Sequence, residues 1–507
     1  MTVSRSGRLL NDTLLAASGR VATVGLWVVL TPALLRALGT ERFGLWALFL
    51  AVAGYFGGFD LGLSQSVLRH VAAARARGDV GEAAAHTLLG VAGYLVLGVT
   101  WWLVLALCGS WIVGLLRIPP EHIEDGLRLV RASPALFAAI GIAGVATASL
   151  QGHGRFDLAG ATLLSGVAVQ GAGVLWVIRH GAEFAPLILA VIAGWVVAAL
   201  IGFTVVSRVV PGALAAPFGS LRSHASDSLR FGLPMQWATA CATIHQQMDK
   251  FFIARFVSLA AVTPFEIGFR VAAAAATVPQ QFFLAVMPMM AELRTGRHEA
   301  ALARLYRRGD RLVLAATSLW LAAMVAAAGP LLQAWLGTAP PGAAALTALL
   351  AISWAVALST GMGTSLARGI SRTSLEARFA SVVLTVHLVL SLILIPRMGA
   401  IGAGIATVVA NTVGACVFLV EVARTMEWRW QETALEGRVV PVIASVLGAV
   451  AGIALARAWP ASEGLTAWLR ALGIASAAAT IAAIALAVGG YARALQPQAA
   501  GGPGAGT

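Results

Sequence analysis

The 507-residue chain is 59% hydrophobic and only 11% charged, with a mean hydropathy of +0.84. A water-soluble protein carries about a quarter charged residues, so most of this surface faces something other than water. The formal net charge of +13 is spread loop by loop rather than gathered in one patch, which argues against nucleic acid as a partner.

A helix needs about 20 predominantly apolar residues to cross a bilayer. Stretches of that length recur at 12–36, 43–67, 87–114, 129–150, 158–178, 186–206, 230–255, 265–290, 311–335, 343–366, 378–396, 399–421, 438–457 and 467–489. They predict an all-α polytopic membrane protein of about 14 transmembrane helices. The first stretch follows Arg5 and Arg8 and is too long for the apolar core of a cleavable signal, so it is expected to act as a signal anchor. The connectors are too short to hold a soluble catalytic domain. The expectation is therefore a transporter rather than an enzyme, with no cofactor. Lys250 is the only lysine, and it lies outside any Gly-Lys-Ser/Thr phosphate loop, which excludes ATP use through that motif. Cys108, Cys241 and Cys416 fall inside apolar stretches without metal-ligand spacing, as small packing residues do. No metal site is expected. The tail after Tyr491 is rich in glycine and is expected to be disordered.

Loop charge sets orientation. With the N-terminus and every second loop on one side, that side holds 22 arginines and the other 10. Basic loops stay cytoplasmic, so both termini are expected inside. Some of this charge also suits anionic lipid heads.

The connectors repeat. Arg69-His70-Val71-Ala72-Ala73-Ala74-Arg75-Ala76-Arg77 after the second stretch is matched by Ala291-Glu292-Leu293-Arg294-Thr295-Gly296-Arg297 after the eighth. Leu150-Gln151-Gly152-His153-Gly154-Arg155 after the fourth is matched by Leu366-Ala367-Arg368-Gly369-Ile370-Ser371-Arg372 after the tenth. The expected organisation is two pseudo-symmetric six-helix bundles plus two C-terminal helices. Their expected limits are an N-terminal bundle at 1–206, a cytoplasmic linker at 207–228, a C-terminal bundle at 229–423, additional helices at 438–490 and a tail at 491–507. Parallel repeats of this kind place substrate between the bundles and move it by rocking.

Four segments carry a family resemblance. Leu38-Gly39-Thr40-Glu41-Arg42-Phe43-Gly44-Leu45-Trp46, followed by Phe59-Asp60-Leu61-Gly62-Leu63-Ser64-Gln65, resembles the start of the bacterial polysaccharide-unit flippases. These belong to the multidrug/oligosaccharidyl-lipid/polysaccharide exporter superfamily. Met248-Asp249-Lys250-Phe251-Phe252-Ile253-Ala254-Arg255 is similar to that family's seventh helix, and Phe265-Glu266-Ile267-Gly268-Phe269-Arg270 to its eighth, with Phe265 in place of the usual tyrosine. Arg397-Met398-Gly399-Ala400-Ile401-Gly402 resembles its twelfth-helix entry. The resemblance implies an inner-membrane protein that moves undecaprenyl-pyrophosphate-linked oligosaccharide from the cytoplasmic to the periplasmic leaflet. Lipid-linked oligosaccharide and membrane lipids would be its partners, together with the polymerase and glycosyltransferases of a cell-surface polysaccharide pathway.

Ionisable groups within a bilayer are costly and usually face a cavity or a partner. Arg20 has no acid within four residues and is the leading candidate for an anionic ligand. Arginine forks bind phosphate oxygens bidentately, so Arg20, Lys250 and Arg270 are the expected substrate-binding cations. His245, Asp249, Glu266 and Asp60 are the expected ion-coupling or polar-network residues. Glu266 and Arg270 are spaced for an i, i+4 ion pair, and Asp60 for a cap or a pair with Arg69. His387 is expected to be a packing histidine. Alternatives are a cation-coupled multidrug exporter or a peptidoglycan lipid-precursor flippase of the same fold and, from another class, a membrane-embedded polysaccharide polymerase or ligase. Reporter fusions at the two ends test the orientation: a phosphatase that works only in the periplasm should be silent at both termini, and activity at either end contradicts the assignment.

Overall fold

The computed structural model describes the backbone of residues 5–215, 218–296, 298–372, 374–429, 431 and 437–491; the side chains of 5–18, 20, 218–235 and several between 278 and 295 lie outside the description. Residues 492–507 of the expected disordered tail also lie outside it.

Among the described residues there are fifteen α-helices and no strand. Lipid offers no hydrogen bonds to a peptide group, so a spanning chain must satisfy its backbone internally, and the helix does that within one segment. In chain order the helices are α1 Arg5–Gly57, α2 Leu63–Arg77, α3 Val80–Leu115, α4 Ile123–Gly152, α5 Phe156–Arg179, α6 Phe184–Val209, α7 Phe218–Phe256 and α8 Leu259–Thr295. They continue as α9 Glu299–Leu336, α10 Ala343–Leu358, α11 Gly361–Gly369, α12 Ser374–Met398, α13 Ala400–Thr425, α14 Val439–Ala458 and α15 Gly464–Val488. Twelve spans among the described residues are long and apolar enough to cross a membrane. One of them, Val21–Gly57, holds two of the expected helices, because Gly39 sits at φ 73° and ψ 175° and divides α1 into two legs.

The expected helix at 43–67 is not continuous. It stops at Gly57, and α2 starts only at Leu63. Between them Leu61 and Gly62 take φ of 57° and 65°, the left-handed region that ends a right-handed helix. Asp60, expected inside the helix, lies in this break.

The chain forms two compact units, residues 1–266 and 267–507. In the first, α4 is the central element, packing on α1, α2, α3, α5 and α6, while α7 packs on α1, α2 and α3. In the second, α9 packs on α10, α14 and α15, and α13 joins α10 to α12. Helix lengths run in parallel through the two units. α3 has 36 residues and α9 has 38; α5 has 24 and α12 has 25; α6 and α13 each have 26.

The last two helices are held to α9 at three levels. Near one end Arg438 reaches Asp310 at 3.1 Å and donates to the Ser359 carbonyl at 3.4 Å. In the middle Ala322, Ala326, Ala478 and Ala482 form a buried seam against Gly448 and Gly452. A methyl group at Gly452 would lie 2.5 Å from the Ala326 Cβ and 2.8 Å from that of Ala478, so the backbones approach as closely as small residues allow. At the other end the buried Arg470 donates to Gln333 Oε1 at 3.3 Å and to the Ala456 carbonyl at 2.7 Å. Gln333 and Ala456 lie in the last turns of α9 and α14, where the helix dipole is negative and a guanidinium is favoured.

The cysteines divide. Cys241 is buried as expected, whereas Cys108 and Cys416 are exposed on apolar helices. His387 is buried and bonds Thr407 at 3.2 Å, as a packing histidine does.

The seam gives a stability prediction. Gly452→Leu should destabilise the purified protein by about 1–3 kcal/mol through overpacking, seen as a lower midpoint of thermal unfolding. Val446→Leu on the exposed face of the same helix should leave the midpoint unchanged.

Candidate functional site: a helix break and a buried ion pair in the first unit

The helix break positions the first polar group. Gly58 sits against α7, where an added methyl would lie 2.8 Å from the Thr243 Cβ. Gln236 of α7 donates its side-chain amide to the Gly58 carbonyl, one of the acceptors left without an intrahelical partner where α1 ends. Asp60 then serves the other side of the break. Its Oδ1 accepts from the Gly62 amide at 2.9 Å, and its Oδ2 accepts from the Tyr94 hydroxyl of α3 at 2.7 Å. Tyr94 lies 2.9 Å from the Ser64 hydroxyl. Asp60 is thus a carboxylate at the start of α2, where the helix dipole is positive, and its partners come from two segments, the break itself and α3. Sequence reasoning placed Asp60 but missed Tyr94 and Ser64, which lie on different helices.

The second group lies on α7 and the start of α8. Lys250 Nζ meets Glu266 Oε2 at 2.7 Å, with the two residues 3% and 4% exposed. This contact joins two of the motif segments, 16 positions apart in the chain, and spacing along one helix could not reveal it. Lys250 also donates to Gln247 Oε1 at 2.9 Å. Gln247, rather than the Gln246 that stands one turn back in the sequence, is the glutamine turned inward; Gln246 is exposed. Asp249 is buried and His245 half-buried. The second leg of α1 runs along this face: Tyr55 packs on the Phe251 ring at 5.2 Å, and Gly54 leaves room for Gln247. The α7 segment that carries Lys250 therefore packs on the leg of α1 that ends at the Asp60 break.

Arg270 lies one turn beyond Glu266 on α8, in the second unit, and is half-buried. Arg20 lies on the first leg of α1, and its side chain is outside the described residues.

The other motif residues are structural. Gly39 makes the kink, and Gly44 lies against the Leu259 carbonyl, where a side chain has no room. Arg42 donates to the Ala182 carbonyl at 3.2 Å and covers the Phe184 ring at 4.8 Å, tying the kink to the α5–α6 connector. Gly399, at φ 64°, is the joint between α12 and α13. One trio of metal-ligand residue types occurs among the described residues: Glu41, Glu121 and His122 place one ligand atom each within 4.8 Å of one another, with both glutamates exposed. Their separation in sequence hid them from a motif reading.

Breaking the buried pair on one side should be costly. Lys250→Met or Glu266→Gln alone should lower stability by about 3–5 kcal/mol, whereas the Lys250→Met/Glu266→Leu double variant should recover most of the loss. Thermal unfolding of the three purified variants checks this, and two silent single variants would refute the pair.

Residues 9–294 match the polysaccharide biosynthesis protein family. No curated protein matches. Among solved structures, the chain is similar to the lipid II flippase MurJ in its inward closed conformation, with a TM-score of 0.67 at 10% identity, covering 96% of this chain and 100% of that one. It is also similar to a multidrug resistance MATE family transporter of the MOP superfamily in its inward-facing conformation, with a TM-score of 0.64 at 15% identity, covering 81% and 94%. A MOP superfamily transporter from Pyrococcus furiosus, described as having a binding pocket of reversed polarity, aligns with a TM-score of 0.60 at 16% identity over 83% and 96%. The chain belongs to the polysaccharide biosynthesis protein family, in a multi-pass, all-α fold shared with the transporters and flippases of the MOP superfamily.

Proposed function

We propose that this protein flips undecaprenyl-pyrophosphate-linked oligosaccharide from the cytoplasmic to the periplasmic leaflet of the bacterial inner membrane, by alternating access between two six-helix halves. It is a transporter rather than an enzyme, has both termini cytoplasmic, and works alongside the glycosyltransferases and polymerase of one pathway. The observation that carries this reading is the broken second helix with its network at Asp60, in a chain of the polysaccharide biosynthesis family. Interrupted helices are where transporters of repeated architecture handle ions and substrates. The parallel helix lengths of the two units support a duplicated origin.

Arg20 is the proposed contact for the lipid diphosphate, since a guanidinium fork matches its oxygens, with Arg270 as a second cation. Lys250 contributes in a state in which it leaves Glu266; in the paired state its charge is already answered. Asp60, His245, Asp249 and Glu266 form the proposed coupling network. Moving one charge across 100 mV is worth about 2.3 kcal/mol, so the outward passage of an anionic diphosphate is helped by an inside-negative potential without ATP.

One observation keeps a second reading in view. The lipid II flippase covers 96% of this chain and the MATE transporter 81%, so a peptidoglycan lipid precursor is the nearest alternative substrate. Vesicles loaded with defined lipid-linked sugars distinguish the two. Transport of a diphosphate-linked oligosaccharide, lost in Arg20→Ala at normal expression, is the expected result; a fully active Arg20→Ala protein would overturn the assignment of Arg20. Exclusive transport of lipid II would overturn the substrate.

A further inference from the structure

The joint of α1 and the connector between α3 and α4 meet at one point of the first unit. Gly39 divides α1, and Glu41 follows it two positions later. The connector holds Glu121 and His122 directly after Pro119 and Pro120, whose rings fix φ. Both segments rest where α7 gives way to α8. The Thr40 carbonyl accepts from the Thr263 hydroxyl at 2.5 Å, and the Arg117 amide donates to the Ala254 carbonyl at 3.4 Å. Glu41, Glu121 and His122 thereby place one ligand atom each within 4.8 Å of one another. His122 Nε2 lies 3.7 Å from Glu41 Oε2.

The protein brings little positive charge of its own to this point. Arg42, beside Glu41 in the chain, donates to the Ala182 carbonyl and covers the Phe184 ring. Arg128, further along the connector's own helix, pairs with Glu124 and Asp125. Among the described residues Glu121 has no ion pair, and Glu41 has one, to an imidazole that is charged only when protonated. Two carboxylates that converge on an imidazole without a guanidinium or an ammonium between them form a set of cation ligands.

We propose that Glu41, Glu121 and His122 bind a divalent first-row transition cation, with Zn²⁺ as its representative. Imidazole beside carboxylate suits that class, whereas Ca²⁺ and Mg²⁺ favour oxygen alone. Zinc bonds of about 2.0–2.2 Å to nitrogen and to carboxylate oxygen put tetrahedral ligand atoms about 3.4 Å apart. The 3.7 Å separation of His122 and Glu41 is close to that value, and the glutamates, both exposed, need only a small swing to close the rest. Three protein ligands leave the fourth position to water. A cation so held staples the joint of α1 to the α3–α4 connector. The absence of metal-ligand spacing among the cysteines has no bearing on a carboxylate–imidazole set, and the inference is independent of the transported substrate.

The test uses the full-length protein, freed of any histidine tag and stripped with a chelator, with Zn²⁺ alone as the probe in titration calorimetry. Zn²⁺ should bind saturably and raise the midpoint of thermal unfolding. Glu121→Gln and His122→Gln should each weaken binding by about tenfold or more, since even the loss of an outer-shell partner costs that much. Glu121→His, which exchanges one ligand for another, should restore it. Glu121→Gln should unfold at an unchanged midpoint in metal-free buffer, because its carboxylate holds no ion pair; this separates lost ligation from damage to the fold. Zn²⁺ affinity unchanged in both glutamine variants would overturn the proposal. So would Ca²⁺ binding as tightly as Zn²⁺ and competing with it, which would reduce the trio to a patch of acidic charge.

Discussion

Everything in this fold answers to one constraint: within lipid, each peptide N–H and C=O must find its partner inside the protein. Long helices meet it automatically, and they make up nearly all of the described chain. The informative places are those where a helix is interrupted and the freed groups must be answered by something else. In the first unit the break between α1 and α2 is served by Gln236, which takes the Gly58 carbonyl, and by Asp60, which takes the Gly62 amide. In the second unit α10 ends at Leu358 and α11 begins at Gly361, and Arg438 donates to the Ser359 carbonyl between them. Each interruption is thus matched to a polar side chain from a distant part of the sequence.

The two units solve the same problem with different chemistry. In the first, the break carries a carboxylate with a tyrosine and a serine beside it, and the nearby buried charges are paired as lysine and glutamate. In the second, the break is closed by an arginine that is itself neutralised by Asp310. The break in the first unit is thus acidic, and the one in the second is closed by an arginine already paired with an acid. That asymmetry distinguishes the two units. It also explains why α14 and α15 are structural parts of the second unit: Arg438, which closes its break, stands at the foot of α14.

The helices were legible because their signal is local. Twenty apolar residues between basic connectors identify a span without any knowledge of its neighbours, and Gly39 announces a joint through its position between two such runs. The break at 58–62 was less legible, because Phe59, Leu61 and Leu63 keep the stretch apolar across it. The cluster of Gly57, Gly58 and Gly62 around Asp60 was the available sign. The contacts among charges were not legible at all. Nothing in the chain spacing pairs Lys250 with Glu266, Asp310 with Arg438, or Arg470 with the ends of α9 and α14, since each is made by helices that meet only after folding. Sequence reasoning could name the ionisable residues and could not say which of them neutralise one another. The candidacy of Arg20 rests on its isolation from acids in the sequence alone.

Lys250 has a consequence of a practical kind. A chain with a single lysine offers amine-directed reagents one side chain to modify, and here that side chain is 3% exposed and held 2.7 Å from Glu266. Its acylation requires the ion pair to open and the ε-amine to meet water. The rate of labelling at this one site is therefore an intrinsic clock for the opening of the α7–α8 contact, readable in the unaltered protein without introducing any probe.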